Sequence, residues 1–145
     1  MPKLSACLPD INVWIALVSD RHIHHDAAKN WFDAVATGEA MFCRITQMGF
    51  LRLITNRHVM GADVVTQKEA WMVYRKLSKD SRVAFLLEPS PIENEWWRLT
   101  QSASASTNAW TDAYLAAFAS LRNLKIISFD SGFQKIVGLD ATILS

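Results

Sequence analysis

Short apolar runs alternate with longer helical stretches along the whole chain, and this alternation restricts the fold more than any other feature. The runs fall at residues 4–8, 40–43, 83–86, 125–128 and 142–144. They are continuously apolar rather than alternating, as expected of strands buried on both faces. The segments between them are long enough for helical crossovers, which pair strands in parallel. The expectation is an α/β domain with a central parallel sheet of about five strands and helices on both faces. At 145 residues, half of them hydrophobic, the chain is long enough to bury a sizeable core as one domain spanning 1–145.

The helices are marked by their own signals. Residues 12–18 read as a short apolar helix. Residues 25–36 place Ala28, Trp31, Phe32 and Val35 on one face, with Gly38 as the stop. A third helix is expected over 46–54. Thr66-Gln67-Lys68-Glu69 has capping-box spacing and opens a helix running to 77. Ser90-Pro91-Ile92-Glu93 repeats that spacing with proline at the first helical position, ahead of a helix bearing Trp96 and Trp97. A small-residue helix begins near Trp110, and a short one surrounds 133–137.

Composition narrows the function classes. Net charge is only +1, but residues 44–82 hold eight Lys/Arg against three Asp/Glu, a modestly basic middle suited to an anionic ligand or to solvent. Cys7 and Cys43 lie in apolar stretches and read as small buried thiols. No apolar run is long enough to span a membrane, and the N-terminus does not read as a signal peptide, so a cytoplasmic location is expected. Five glycines, none clustered, leave no phosphate-binding loop and no nucleophile elbow. His22, His24 and His25 lack a second ligand pair at zinc spacing and read as loop and helix-start residues. Of Trp96 and Trp97, about 100° apart on a helix, one is expected in the core and the other outside.

Chemistry points to three aspartates. Asp10 ends the first strand, Asp130 ends the fourth, and Asp112 lies in the first turn of the Trp110 helix. Each alone suits a cap or turn, where aspartate is favoured. If the strand order brings them together, they gather at the carboxyl edge of an open sheet, where ligands bind. An oxygen-only cluster there suits Mg²⁺ or Mn²⁺, because mutually repelling carboxylates call for a cation.

Leu8-Pro9-Asp10-Ile11-Asn12-Val13, Thr111-Asp112-Ala113-Tyr114-Leu115 and Ile127-Ser128-Phe129-Asp130-Ser131-Gly132-Phe133 resemble the acidic motifs of PIN-domain nucleases. The stretch from His22 to Ala28, and Thr46-Gln47-Met48-Gly49-Phe50-Leu51-Arg52, resemble one bacterial branch, the VapC-type toxins of toxin–antitoxin pairs. The resemblance covers nearly the whole chain. It implies a Mg²⁺- or Mn²⁺-dependent endoribonuclease that hydrolyses phosphodiesters by an activated water. Asp10, Asp112 and Asp130 would be the metal ligands, Asn12 and Ser128 the residues that fix them, and Gln47 an assisting residue. It also implies a homodimer and a cognate antitoxin, with Arg44 and Arg52 serving RNA phosphates or acidic antitoxin side chains. One position departs from the family. The glutamate expected near the start of the helix after the second strand falls at Gln47 or Gly49, neither anionic, which lowers affinity for a second metal. Two rivals follow: a PIN-like module that binds without cleaving, and a phosphoaspartyl hydrolase. The latter needs an aspartate where this chain has Asn12.

Overall fold

The computed structural model describes residues 6–102 and 104–145. Five strands form one sheet: β1 (Cys7–Pro9), β2 (Ala40–Phe42), β3 (Val83–Phe85), β4 (Lys125–Ser128) and β5 (Ala141–Ile143). Their order is β3-β2-β1-β4-β5, with every pairing parallel. Seven α-helices connect them: α1 (Ile11–Val18), α2 (His25–Asp33), α3 (Arg44–Ile54), α4 (Arg57–Met60), α5 (Gln67–Ser78), α6 (Glu93–Leu99) and α7 (Ala109–Arg122). The α/β class and the five parallel strands are as the alternation predicts. The part of the first run at residues 4 and 5 lies outside the described residues.

The order has a functional consequence. The chain steps outward from β1 to β2 to β3, then returns to the other side of β1 to lay down β4. β1 and β4 are therefore neighbours that depart in opposite senses, with Pro9 opposite Ile127. In open α/β sheets, ligands bind at that reversal, outside the carboxyl ends of the strands.

Each face of the sheet has its own core. On one, Trp14 stacks on Phe42 at 4.0 Å between ring centroids, and Tyr74 meets Phe42 edge-on at 5.0 Å. Phe50, Ile54 and Phe32 close that cluster. On the other, Leu115, Phe118 and Ala119 of α7 pack with Leu8, Ile126, Ile92 and Phe133. Leu8 and Ile126, fully buried in paired central strands, account for the unbroken apolar pattern of the sequence.

Several boundaries differ from the sequence reading. α2 stops at Asp33 rather than 36, and Gly38 lies beyond it, in a turn with φ 73° whose N–H reaches Ser81 O. α3 starts two residues early, at Arg44. The Thr66–Glu69 capping box forms with both reciprocal bonds. The Ser90–Glu93 box does not: α6 begins at Glu93 with Ile92 at the cap and no side-chain cap bond. Ile92 is buried in the α7-side core, so tertiary anchoring sets that start. The short helix around 133–137 is a 3-10 segment at Ser131–Lys135, capped by Asp130. α4, unforeseen, is nucleated by Asn56, whose side chain accepts from His58 N–H.

Candidate active site at the strand reversal

Ser128 lies at the centre of the site. It ends β4, is fully buried, and its one hydroxyl serves three neighbours. Oγ donates to Asp10 Oδ2 at 2.9 Å and accepts from the N–H of Asp130 at 2.9 Å. It also accepts, at 3.4 Å, from the side-chain amide of Asn12, whose carbonyl oxygen takes the Phe129 N–H at 3.4 Å. A hydroxyl has one proton and two lone pairs, so this network uses all of its bonding capacity. It ties the end of β1, the first turn of α1 and the end of β4 into one unit.

Asp10 and Asp130 are each held by a cap bond. Asp10 Oδ1 accepts from Ile11 N–H at 2.8 Å as the cap of α1. Asp130 Oδ1 accepts from Gly132 N–H at 2.8 Å. The cap reading of each residue is therefore correct, and it also aims each carboxylate. Asp112 differs. In the first turn of α7, its carboxylate accepts no hydrogen bond from the described residues, and its pKa is pushed up to about 6 by burial, then by the charges of Asp10 and Asp130. Asp10 is also raised, chiefly by burial, against the lowering effect of its bonds from Ser128 and Ile11.

The three carboxyls thus sense one another, and among the described residues none is ion-paired to a Lys, Arg or His. No three Asp, Glu, His or Cys side chains among the described residues are drawn together closely enough to enclose an ion as they stand. The donor set is all oxygen and lacks a counter-charge, which suits a hard divalent cation able to pull the repelling carboxylates inward.

The other candidates are spread more widely. Gln47 is buried in the first helical turns of α3, and its Oε1 accepts from Arg44 Nη1 rather than bonding an aspartate. Arg44 in turn lies over the Phe85 ring, 4.8 Å from its centroid. Arg52 lines an open groove of about 470 Å³ between α3 and α5, with Met48, Lys68 and Trp71. The histidines sit in the α1–α2 loop and at the start of α2. His25 Nδ1 bonds Ala16 O, and His24 stacks on Phe129 at 4.3 Å. Trp96 joins the α7-side core while Trp97 is 63% exposed, so the pair divides as its helical spacing requires. Both cysteines are buried free thiols, and burial pushes Cys7 up to about 12.

The residue that sequence reasoning passed over is Ile11. Its side chain occupies the space against Gly49, where an ideal Cβ would fall 2.2 Å from Ile11 Cδ1. Position 49, one of the two candidates for the missing glutamate, is thereby closed by hydrocarbon. The visible signal was a glycine within a helix, which usually marks a close approach.

Fold and site together define a parallel α/β domain with three mutually sensed carboxyls at the strand reversal. The PIN domain model matches residues 7–139, and the chain belongs to the PIN-domain family. It is similar to ribonuclease VapC41 of Mycobacterium tuberculosis, 37% identical over 143 residues, 95% of this chain and 98% of that one. It is 30% identical to ribonuclease VapC38 of the same organism over 125 residues, 86% of this chain and 85% of the relative. Among solved structures, VapBC2 from Rickettsia felis, bound to a promoter DNA fragment, shares the fold with a TM-score of 0.70 at 12% identity, over 95% of this chain and 98% of that one.

Proposed function

We propose that this chain is an RNA-cleaving hydrolase, the endoribonuclease toxin of a VapBC-type pair, dependent on Mg²⁺ or Mn²⁺ and acting in the cytoplasm as a single 1–145 domain. Family membership and the VapC relatives support RNA hydrolysis and an antitoxin partner. The observation that carries the metal dependence is the set of three aspartates with no basic partner among the described residues, where Asp112 is raised by burial first and then by the charges of Asp10 and Asp130.

Asp10, Asp112 and Asp130 would hold the cation. When bound, it would supply Lewis-acid polarisation of the phosphodiester and of the attacking water. Ser128 holds Asp10 Oδ2 in place with its only proton, and Asn12 braces Ser128 and the Phe129 backbone. Gln47, held by Arg44 at the start of α3, would assist. In the cation-free protein, Asp112 retains a proton at mildly acidic pH. Arg44 and Arg52 would meet RNA phosphates, or acidic side chains of the antitoxin when that partner is bound. Exposed Trp97, Met72 and Trp71 supply apolar surface for an antitoxin or a homodimer partner.

One observation favours the rival reading of a module that binds without cleaving: the closure of position 49 by Ile11, which leaves three acids rather than four. Incubating purified protein with RNA in EDTA, Mg²⁺ and Mn²⁺ separates the two. Cation-dependent cleavage that Asp10→Asn abolishes supports the enzyme. Salt-sensitive RNA binding, weakened by Arg44→Ala with Arg52→Ala but without cleavage, supports the module.

A further inference from the structure

Gly49 stands in the interior of α3, where glycine weakens a helix relative to alanine. Its backbone does not require it, because the positive-φ glycines are Gly38, Gly61 and Gly138. What it makes room for is a single side chain. A Cβ at 49 would lie 2.2 Å from Ile11 Cδ1, 3.0 Å from Cγ1 and 3.8 Å from Cγ2. Because χ1 of a β-branched residue in a helix is stiff, Cγ1 stays near 3.0 Å and needs only a small adjustment, while the 2.2 Å clash falls on Cδ1, which would have to leave the notch by turning about χ2. The isoleucine is therefore a knob and the glycine its notch.

The knob sits at a sensitive place. Ile11 is the first residue of α1, its N–H holds Asp10 Oδ1 at 2.8 Å, and Asn12 follows it into the Ser128 network. We propose that Ile11 and Gly49 are positioning residues: the isoleucine, seated in the α3 notch, fixes the first turn of α1 and so aims the Asp10 carboxylate at the cation site. The same contact closes position 49 of α3 to any larger side chain. This rests on Asp10 being a ligand, as read above.

The test is a double-mutant cycle in the full-length chain: Gly49→Ala, Ile11→Val and both together, with Ile11→Ala as a second probe. Ile11→Val removes Cδ1, the atom that an alanine at 49 would strike. Gly49→Ala is expected to lower kcat for RNA cleavage about tenfold or more, since misplacement by an ångström is costly in catalysis, with KM for RNA within about twofold. Mn²⁺ affinity, read by calorimetry, should fall in step. The double mutant should recover both to within about threefold of wild type. If Gly49→Ala does not fold, as judged by near-UV circular dichroism, Ile11→Ala gives the reading. It leaves the glycine and empties the notch, and should lose kcat and Mn²⁺ affinity together. Gly49→Ala with wild-type kcat and Mn²⁺ affinity overturns the proposal, as does a double mutant no better than the single, or an unaffected Ile11→Ala. Wild-type protein that neither cleaves RNA nor binds Mn²⁺ overturns the reading of the site itself, a failure distinct from variants that all match an active wild type.

Discussion

Asp112 and Asp80 stand at opposite edges of one sheet, and their carboxyls are displaced in opposite directions. Asp80 turns the chain into β3 at the amino edge. Arg82 donates to both of its oxygens, at 3.0 and 2.8 Å, and holds it down to about 2. The same guanidinium covers the Phe32 ring at 3.9 Å and donates to Phe32 O, clamping the end of α2 to the start of β3. Asp112, at the carboxyl edge, accepts no hydrogen bond among the described residues and is pushed up to about 6, by burial first and then by the charges of Asp10 and Asp130. An acid given its partner within the fold contributes stability. An acid left without one costs stability until a ligand arrives, which is the mark of a functional site.

The largest effect should separate the edges outright. Asp10→Asn or Asp112→Asn is expected to lower kcat for metal-dependent RNA cleavage by at least about a hundredfold, on the scale of removing one electrostatic stabiliser. Asp112→Asn should also leave the metal-free melting temperature equal or higher, because one repelling charge is gone and no hydrogen bond among the described residues is lost. A melting temperature that drops instead would make the residue structural and break the contrast.

Next comes pH. Asp112 has a folded pKa above its ordinary 3.8, so the native state binds more protons between about 4 and 6. The metal-free protein should lose stability as pH rises through that window, with the penalty fully present above it. Asp80 is shifted the other way: its contribution is present above 3.8 and is lost as pH falls toward about 2. Thermal melts in EDTA should therefore peak near the acidic end of the first window and decline on both sides. Millimolar Mg²⁺ at neutral pH should raise the midpoint. Identical midpoints with EDTA and Mg²⁺ would argue against a competent cluster.

Arg82→Ala should cost about 2 kcal/mol in denaturant unfolding, through the lost pair, ring contact and backbone bond, while kcat stays at the wild-type level. The smallest expected effect is Thr66→Ala, about 1 kcal/mol for the lost cap, again with unchanged cleavage.

The acids themselves were legible because each lies at an element boundary that sequence marks well, and Asn12 and Ser128 came with the family motifs. The strand order was not legible: that β4 lies against β1 rather than beyond β3 depends on pairing across more than a hundred residues. The two capping boxes show where local signals end. Thr66–Glu69 is exposed and decides its own helix start, whereas at Ser90–Glu93 the buried Ile92 overrides the cap. The Ile11–Gly49 contact was only half legible: a glycine inside a helix hints at a close neighbour, but only packing shows that Ile11 is that neighbour.

The placement of β1 at the centre of the sheet bears on when, during synthesis, the acid cluster can exist. Asp10 emerges from the ribosome almost at once, but β1 must wait for β4 to gain its second neighbour, and Asp112, Ser128 and Asp130 all lie in the last third of the chain. The segment between Leu99 and Ala109 divides the site into two incomplete sets, Asp10 with Asn12, Ile11 and Gly49 on one side, the remaining acids and Ser128 on the other. No nascent chain that stops short of β4 can assemble the three carboxylates. On the proposed toxin reading, chain order itself postpones cleavage until translation is nearly finished, leaving an interval in which a co-expressed partner can be waiting.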